Sequence, residues 1–458
     1  MTIETDRERT TLAGVPLLTA PAARRILGVG LPIVGGMVSQ NLLDLVDTIM
    51  VGRLGEAALA GVGIAGFANF LMVALLIGFA AGVQAVVARR KGEDRQDEIA
   101  VPLNGGIAVA FLVGLPLMVV GLWLAPTLYP LLVNGNEAVI AEGLPYFEMR
   151  LWGVLAIALN FSFRGYWYGI GETATYLKII VSMHVLNAVL SFALIFGHLG
   201  LPALGTVGAG LGTTISLFMG TILYSVITYR RARPQGFLSR LPRADTFSSL
   251  LRLSIPSAVQ TMLFAAGLLA LFTIAGYVGV TALAISNILV NLSKFAVLPA
   301  MGLGFATMTL VSEALGRGDG EAASRWAWQT VQVALCAVVT VSLVLIAVPE
   351  AVLSLFTTDP DVLAAGVMPL RVVGAVLVAE GFAAVLQSAL TGAGAARQAA
   401  AVAISSQWIV GLPAALVFGL VLDGGALGVW LGWSLSRWLV AGVLVVLWAR
   451  GRWRSIRL

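Results

Sequence analysis

Charged residues are scarce in this chain: they make up 11% of its 458 residues, whereas 59% of the residues are hydrophobic. A soluble domain carries roughly 25% charged residues, so a water-facing surface of this size would lack polar side chains. The scarcity excludes an ordinary soluble enzyme, and a nucleic-acid-binding domain as well, although the net charge is +5. A lipid bilayer is the solvent that suits this composition.

Cysteine and histidine are almost absent, with one Cys and two His. Cys336 stands alone in an apolar run, which excludes a disulfide framework and a cysteine-based metal site. His184 and His198 have no partners at a spacing typical of a metal site or a Ser-His-Asp triad, so a membrane-embedded enzyme is the least favoured class. His184 is interpreted as a packed helix residue, with a proton relay as the alternative.

Long apolar runs are what the chain has in abundance. Twelve stretches long enough to cross roughly 30 Å of hydrocarbon follow one another, and unbroken helices satisfy their own backbone polar groups in lipid. The predicted fold is an all-α polytopic membrane protein with twelve transmembrane helices. They are expected over residues 27–51, 57–88, 100–126, 144–170, 175–197, 204–229, 250–277, 281–312, 324–348, 365–391, 397–421 and 425–449.

Arginine and lysine are concentrated in alternate loops, and the opposite loops contain few of them. By the positive-inside rule both termini are predicted to be cytoplasmic, in the inner membrane of a bacterium. Residues 1–25 are polar and lack the apolar core of a signal peptide, so they are expected to form a cytoplasmic tail. A second cytoplasmic tail is expected over residues 450–458.

An internal repeat divides the chain. Sequence-similar positions recur at one constant offset, and an even number of helices per repeat gives both halves the same orientation. We therefore expect two six-helix lobes, 26–229 and 250–449, joined by a cytoplasmic linker over 230–249 and related by a pseudo-twofold axis along the membrane normal. The matching positions are Leu31-Pro32 with Ile255-Pro256, Gly55 with Gly279, Gly78 with Gly302, and Gly92 with Gly316.

Two acids lie within the first apolar run. A charge at mid-bilayer costs at least ~2.5 kcal/mol, so such a residue usually faces a cavity or a partner. Asp44 and Asp47 are three residues apart and share a helical face. They are candidates for coupling transport to H⁺ or Na⁺, because burial brings a carboxyl group into a range where it loads and releases a proton. The alternative is a pair of helix-end acids, or a partner for Arg53.

A third acid, Glu380, lies in the middle of the tenth apolar run. It too is a candidate coupling residue. Lys294 and Arg437 are basic residues within runs of the same half, and a buried pair with either would make Glu380 structural. The sequence leaves both readings open.

Uncharged polar residues accompany the first acids in the N-terminal half. Asn187 and Ser191 are four residues apart on one predicted helix, and Thr213 lies on the next. Together with Asp47 they could form an oxygen cage for Na⁺, or hydrogen bonds that change on protonation. The alternative is that they only join helices.

The segment 45–55, which reads LVDTIMVGRLG, resembles the first-helix signature of the multidrug and toxic compound extrusion (MATE) family. Weaker matches are GRGD at 316–319, Leu186-Asn187, and the glycine-rich residues 204–210. The resemblance extends over essentially the whole chain and points to bacterial members of the NorM-like or DinF-like branches.

This resemblance implies efflux of lipophilic, often cationic compounds in exchange for H⁺ or Na⁺, without any other cofactor. Asp47 matches the family's coupling aspartate, and Asn187 and Thr213 match residues of its cation site. Asp47 and Asn187 would be metal ligands only if the ion is Na⁺. Ser191 stands where relatives often carry Asp or Asn, which puts tight Na⁺ binding in doubt.

In the second half, Glu380 matches an acidic position of the NorM-like branch. Phe264 occupies a position where that branch has an acid, with Gln260 one turn away. The chain therefore departs from both branch patterns, and H⁺ coupling through Asp47 is favoured.

The expected cargo is a small lipophilic cation, with the bilayer as surroundings, no nucleic-acid partner, and a monomer as the working unit. The substrate cavity is predicted to include Gln260, Trp167, Tyr168 and Lys294, because aromatic faces bind lipophilic cations. Interfacial anchoring is the alternative for the aromatic residues. A flippase for a lipid-linked precursor is the second hypothesis. It would favour a cavity rich in Arg and Lys, and the few basic residues deep in the helices of the N-terminal half count against it.

Overall fold

The computed structural model describes residues 11–12 and 15–456, with only the backbone described at Thr11, Leu12 and Val15. Residues 1–10, 13 and 14 of the predicted N-terminal tail lie outside the described residues, as do 457 and 458 of the predicted C-terminal tail.

The described chain is almost entirely helical. A hairpin of two two-residue strands, β1 (Thr11–Leu12) antiparallel to β2 (Val15–Pro16), comes first. The helices are α1 Ala20–Gly52, α2 Glu56–Gly92, α3 Gln96–Leu132, α4 Glu137–Trp152, α5 Val154–Gly169, α6 Thr173–Phe196, α7 Gly205–Ala232, α8 Ala244–Val278, α9 Val280–Gly316, α10 Gly320–Ala347, α11 Pro349–Leu353, α12 Pro360–Gly392, α13 Ala396–Val421 and α14 Gly425–Ala449. Within α3 there is a π-helical turn at Ala110–Gly114, and α13 contains two, at Ser406–Gly411 and Val417–Val421.

Eleven of the described helices are long and apolar enough to cross a membrane: α1–α3, α6–α10 and α12–α14. The predicted fourth segment, 144–170, differs from the others because it is divided into α4 and α5, of 16 residues each. One residue, Gly153, separates them. The two together have the length of one further crossing. The predicted all-α fold is confirmed.

The outward faces of the helices are apolar. On α3, for example, Leu112, Trp123 and Leu131 are each at least 70% exposed. Exposing such an apolar surface to water costs about 25 cal/mol per Å² of surface, whereas exposing it to lipid does not carry this cost. The chain is therefore a multi-pass membrane protein.

The chain divides into two compact units. Among the described residues, one unit comprises those up to 34 together with 259–456, and the other comprises 35–258. Both divisions fall inside a helix, α1 in the first case and α8 in the second. Positions 34 and 258 are separated by the same offset as the matching positions of the sequence repeat, so the chain divides at equivalent places in its two halves.

Repeat-related glycines share a backbone conformation. Gly55 precedes α2 with φ 116°, and Gly279 precedes α9 with φ 151°. Residues with a Cβ rarely adopt such values. Both helices therefore begin after a residue whose backbone conformation favours glycine.

A second pair of related glycines allows close helix packing. A Cβ on Gly78 of α2 would lie 2.4 Å from the backbone nitrogen of Ala258 on α8. In the other unit, a Cβ on Gly302 of α9 would lie 2.5 Å from Val34 Cγ2 on α1. Small residues at such contacts let membrane helices approach closely.

Gly78→Ala is expected to destabilise the protein by about 1–3 kcal/mol, because the added methyl group meets rigid backbone instead of a movable side chain. Gly63→Ala, on the same helix, is the matched control, since nothing lies within 4 Å of its Cβ position. Thermal unfolding of the two variants in detergent should show a lower midpoint for Gly78→Ala alone. Equal midpoints would contradict close packing at Gly78.

Candidate functional site

A cavity of about 540 Å³ lies within the unit formed by residues 35–258. Its walls come from α1, α2, α4, α5, α6 and α7. The aromatic and sulfur-containing lining residues are Met37, Phe70, Phe161, Tyr176, Met183 and Tyr224. An apolar cavity of this size with a few polar groups is typical of a site for a drug-sized molecule.

A chain of hydrogen bonds links α1 to α6 at the cavity wall. Gln40 Nε2 donates to Asp44 Oδ1 at 2.9 Å, and Gln40 Oε1 is 3.0 Å from His184 Nε2. Because an amide oxygen only accepts, Nε2 of His184 is the donor. The other ring nitrogen, Nδ1, is 2.8 Å from Ser39 Oγ. His184 is thus a packed and hydrogen-bonded residue of the wall that contains Asp44.

Asp47 lies one turn beyond Asp44 on α1. Its Oδ1 atom is fully buried and has no hydrogen-bond partner. Asp44 and Arg150 are both close enough to act electrostatically on its carboxyl group. An unpartnered carboxyl oxygen is costly to bury, so this position is the strongest candidate for binding a proton or another cation.

Arg150, in the last turn of α4, lines the cavity beside these acids. A basic residue is favourable there because it interacts with the negative end of the helix dipole. Its Nε atom is buried without a hydrogen-bond partner. The same guanidinium acts electrostatically on Asp44, Asp47 and the phenol of Tyr146. Two carboxylates and one guanidinium therefore form a single charged cluster at this end of the cavity.

The predicted polar residues of the N-terminal half are buried, and two of them line the cavity, Asn187 and Thr213. Ser191 Oγ donates to Asn187 Oδ1 at 2.8 Å, and Thr213 Oγ1 donates to the carbonyl of Ala209 at 3.0 Å. The amide oxygen of Asn187 is therefore already engaged by a neighbouring side chain.

The other end of the cavity contains Arg164 and several aromatic rings. The guanidinium of Arg164 lies 4.4 Å from the centroid of the Phe161 ring. Tyr224 stacks on Tyr176, with centroids 6.3 Å apart. Arg164 also acts electrostatically on the Tyr224 phenol. This end therefore combines a cation with stacked aromatic surfaces.

The remaining predicted cavity residues lie elsewhere. Trp167 and Tyr168 are buried in helix packing, and Tyr168 packs edge-on against Tyr176 with centroids 4.8 Å apart. Neither is among the described residues that line the cavity. Gln260 and Lys294 belong to the other unit, where Gln260 is half-buried and Lys294 is exposed.

Glu380 pairs with Arg437 in the unit that contains the C-terminal half. Nε of Arg437 donates to Oε1 of Glu380, and Nη2 donates to Oε2 at 2.6 Å. The guanidinium also lies 5.9 Å from the ring centroid of Phe264, the position at which the resemblance expected an acid. Of the two basic residues considered from the sequence, Arg437 is the one that contacts Glu380.

Several cavity residues were not identified from the sequence. Arg150 and Arg164 lie within the apolar run 144–170, so the rule that intramembrane charges mark functional positions would have found them. The amide residues Asn69 and Asn160 also line the cavity, and Oδ1 of Asn69 is buried without a hydrogen-bond partner. No sequence signal distinguishes these two amides from residues that only join helices.

Comparison with known proteins identifies the family. The MatE family model matches the chain twice, over residues 32–193 and 256–417. The two matches have the same length, and their starting positions are separated by the offset of the sequence repeat. Together they cover well over half of the chain.

Whole-chain relatives agree with this match. A probable multidrug resistance protein NorM of Bradyrhizobium diazoefficiens is 30% identical over 433 residues, with 92% of this chain and 91% of the relative covered. Among solved structures, a MATE transporter in the straight conformation is 21% identical, with a TM-score of 0.85 and coverage of 94% and 96%. A MOP superfamily transporter from Pyrococcus furiosus is 20% identical, with a TM-score of 0.85 and coverage of 95% and 97%. The chain belongs to the MatE family of multidrug transporters and is not an enzyme.

Proposed function

We propose that this protein is a secondary active antiporter that exports lipophilic compounds, cations among them, in exchange for H⁺. Asp47 is the coupling acid in this proposal. The observation that carries it is the buried, unpartnered Oδ1 of Asp47, close to Asp44 and Arg150, which line the cavity.

The coupling rests on the charge balance at this end of the cavity. With Asp47 ionised, Arg150 is compensated and Asp44 attracts a cationic substrate. A proton on Asp47 removes one negative charge, so the field of Arg150 then disfavours the same substrate. Substrate and proton thus compete, and each binds best to a different state of the site, which exchange requires.

We propose H⁺ rather than Na⁺ as the exchanged ion. Na⁺ needs several oxygen ligands, and the oxygen of Asn187 would have to bind it with the one lone pair that the hydrogen bond from Ser191 leaves. Ser191 also supplies a hydroxyl group where the family resemblance expects Asp or Asn. A proton needs only one carboxylate, and Asp47 provides it. If Na⁺ were used, Asp47 and Asn187 would be its ligands.

The proposed setting is the inner membrane of a bacterium, with both termini in the cytoplasm and a monomer as the working unit. Arginines in the loops before α3 and between α7 and α8 support this orientation by the positive-inside rule. The lobes 26–229 and 250–449, joined by the linker 230–249, would move so that the cavity opens alternately to the two sides of the membrane.

The test is uptake of ethidium into proteoliposomes that contain the full chain. An imposed pH gradient should drive uptake above that of protein-free liposomes, whereas a Na⁺ gradient at equal pH should not. Uptake that is driven by the Na⁺ gradient and not by the pH gradient would show that the exchanged ion is Na⁺ instead of H⁺. Failure of both gradients would overturn antiport of lipophilic cations.

A flippase for a lipid-linked precursor is the second candidate. The observation that favours it is the presence of Arg150 and Arg164 on the cavity wall, since basic residues bind phosphate groups. Against it stands Asp44, which repels an anion at the Arg150 end of the cavity, so a pyrophosphate could not use both arginines equally.

A further inference from the structure

We infer that the Arg164 end of the cavity is an anion site, so that the substrates include aromatic compounds carrying a carboxylate or phosphate group. This inference rests on the proposed transport function and names a substrate class for the same cavity. It is carried by three observations: the position of Arg164, an unpartnered buried hydroxyl group, and the separation of this end from the acids.

The hydroxyl group belongs to Tyr224. This residue lines the cavity and is 1% exposed, and its Oη atom is buried without a hydrogen-bond partner. A buried polar group normally has a partner. A phenol beside a guanidinium is suited to donate its hydrogen to an anion that the guanidinium also holds.

The aromatic surfaces fit the rest of such a substrate. Tyr224 stacks on Phe163 with centroids 5.6 Å apart and planes 8° apart, and on Tyr176 at 6.3 Å. These contacts hold the phenol in one orientation. Phe161, under the Arg164 guanidinium, and Tyr176 both line the cavity and offer faces for a flat apolar body.

The acids lie at the other end. Asp44 is the one acidic residue among the described residues that line the cavity, and Arg150 is the basic residue that acts on it. Arg150 lies in the last turn of α4, whereas Arg164 lies ten positions after Val154, the first residue of α5, which corresponds to roughly 15 Å along that helix at 1.5 Å per residue. Repulsion of an anion by Asp44 falls off over such a distance, so the Arg164 end attracts anions while the Asp44 end attracts cations.

The test measures binding of two probes with the same ring and opposite charge, 1-naphthoate and 1-naphthylmethylammonium, to the purified full chain by equilibrium dialysis. Arg164→Gln should weaken naphthoate binding about 10- to 100-fold, because a charge-assisted hydrogen bond is lost. Tyr224→Phe should weaken it about 2- to 10-fold. Arg164→Lys should restore most of the binding, and none of these changes should weaken binding of the ammonium probe.

Arg233→Gln is the matched control. Arg233 is exposed and lies over the Tyr229 ring at 5.2 Å, so it has a similar aromatic contact but no place on the cavity wall. Size-exclusion chromatography of each variant shows whether it is folded, and the conservative variants Tyr224→Phe and Arg164→Lys test the site even if Arg164→Gln does not fold.

The outcomes separate this inference from the transport proposal. Wild-type protein that binds the ammonium but not naphthoate, or naphthoate binding that is unchanged in Arg164→Gln and Tyr224→Phe, would overturn the anion site alone. Naphthoate binding that depends on Arg164, without gradient-driven transport, would support the anion site and overturn antiport. Competition by dihexanoyl phosphatidic acid distinguishes the source: stronger displacement than by unlabelled naphthoate would identify a lipid phosphate as the bound anion.

Discussion

Asp47→Asn is expected to abolish gradient-driven transport, leaving ethidium uptake at the level of protein-free liposomes. Asparagine keeps the size of the side chain but cannot exchange a proton, so the pH gradient no longer acts on the site. The neutral asparagine also makes the site permanently resemble the state in which Asp47 is protonated. Ethidium binding should persist but be weaker, because Arg150 then lacks part of its compensating charge.

Asp423→Asn is the control for this change. Asp423 is exposed, and its φ of 53° is one that asparagine adopts equally well. This variant should transport like the wild type. Uptake by Asp47→Asn at the wild-type rate would show that another group couples transport to the gradient.

Loss of either partner of the Glu380–Arg437 pair is expected to destabilise the protein by about 3–5 kcal/mol, because a largely buried charge is left uncompensated. The side chains of Arg437 and Glu380 are 13% and 19% exposed. Glu380→Gln and Arg437→Gln should therefore each lower the thermal unfolding midpoint in detergent. The double variant should recover much of the loss, since two neutral side chains leave no buried charge.

Transport by the double variant separates a structural role of Glu380 from a coupling role. If the pair is structural, the double variant should still transport ethidium under a pH gradient. If the double variant is stable but inactive, Glu380 takes part in coupling. If Glu380→Gln and Arg437→Gln unfold at the same temperature as the wild type, the pair does not stabilise the protein.

The sequence predicted the fold well because lipid imposes strong constraints on composition. Apolar runs have to be long enough to cross the bilayer, so their number and order along the chain predict the number and order of the membrane helices. Helix α1 begins at Ala20, seven residues before the predicted start at 27, because the apolar run on which the prediction depends begins only at Ile26. The local signals were nevertheless present: Thr19 Oγ1 accepts a hydrogen bond from the backbone nitrogen of Ala22 at 3.4 Å, and Pro21 lies in the first turn.

The cavity was less predictable because its lining depends on helix rotation. Helices of a membrane protein are apolar around most of their circumference, so periodicity does not show which face is inward. Trp167 and Tyr168 share α5 with the cavity residues Phe161 and Arg164, yet both are buried in packing. Arg150 and Arg164 lie in the apolar run 144–170, and an arginine near the end of such a run is equally typical of a residue at the membrane surface, so their place on a cavity wall needed the structure.

The choice of partner for Glu380 also needed three-dimensional information. Lys294 and Arg437 both lie within apolar runs, and sequence separation does not rank them. Arg437 provides a planar fork that matches a carboxylate with two parallel hydrogen bonds, and α14 brings it to Glu380 on α12.

The most direct test of the central claim is the internal pH of proteoliposomes, followed with a trapped dye when ethidium is added outside without Na⁺. Exchange through Asp47 predicts that entry of ethidium moves protons outward, so the internal pH rises with wild-type protein and stays constant with Asp47→Asn. A pH rise of equal size in Asp47→Asn, or ethidium entry without any pH change in the wild type, would contradict proton exchange at Asp47.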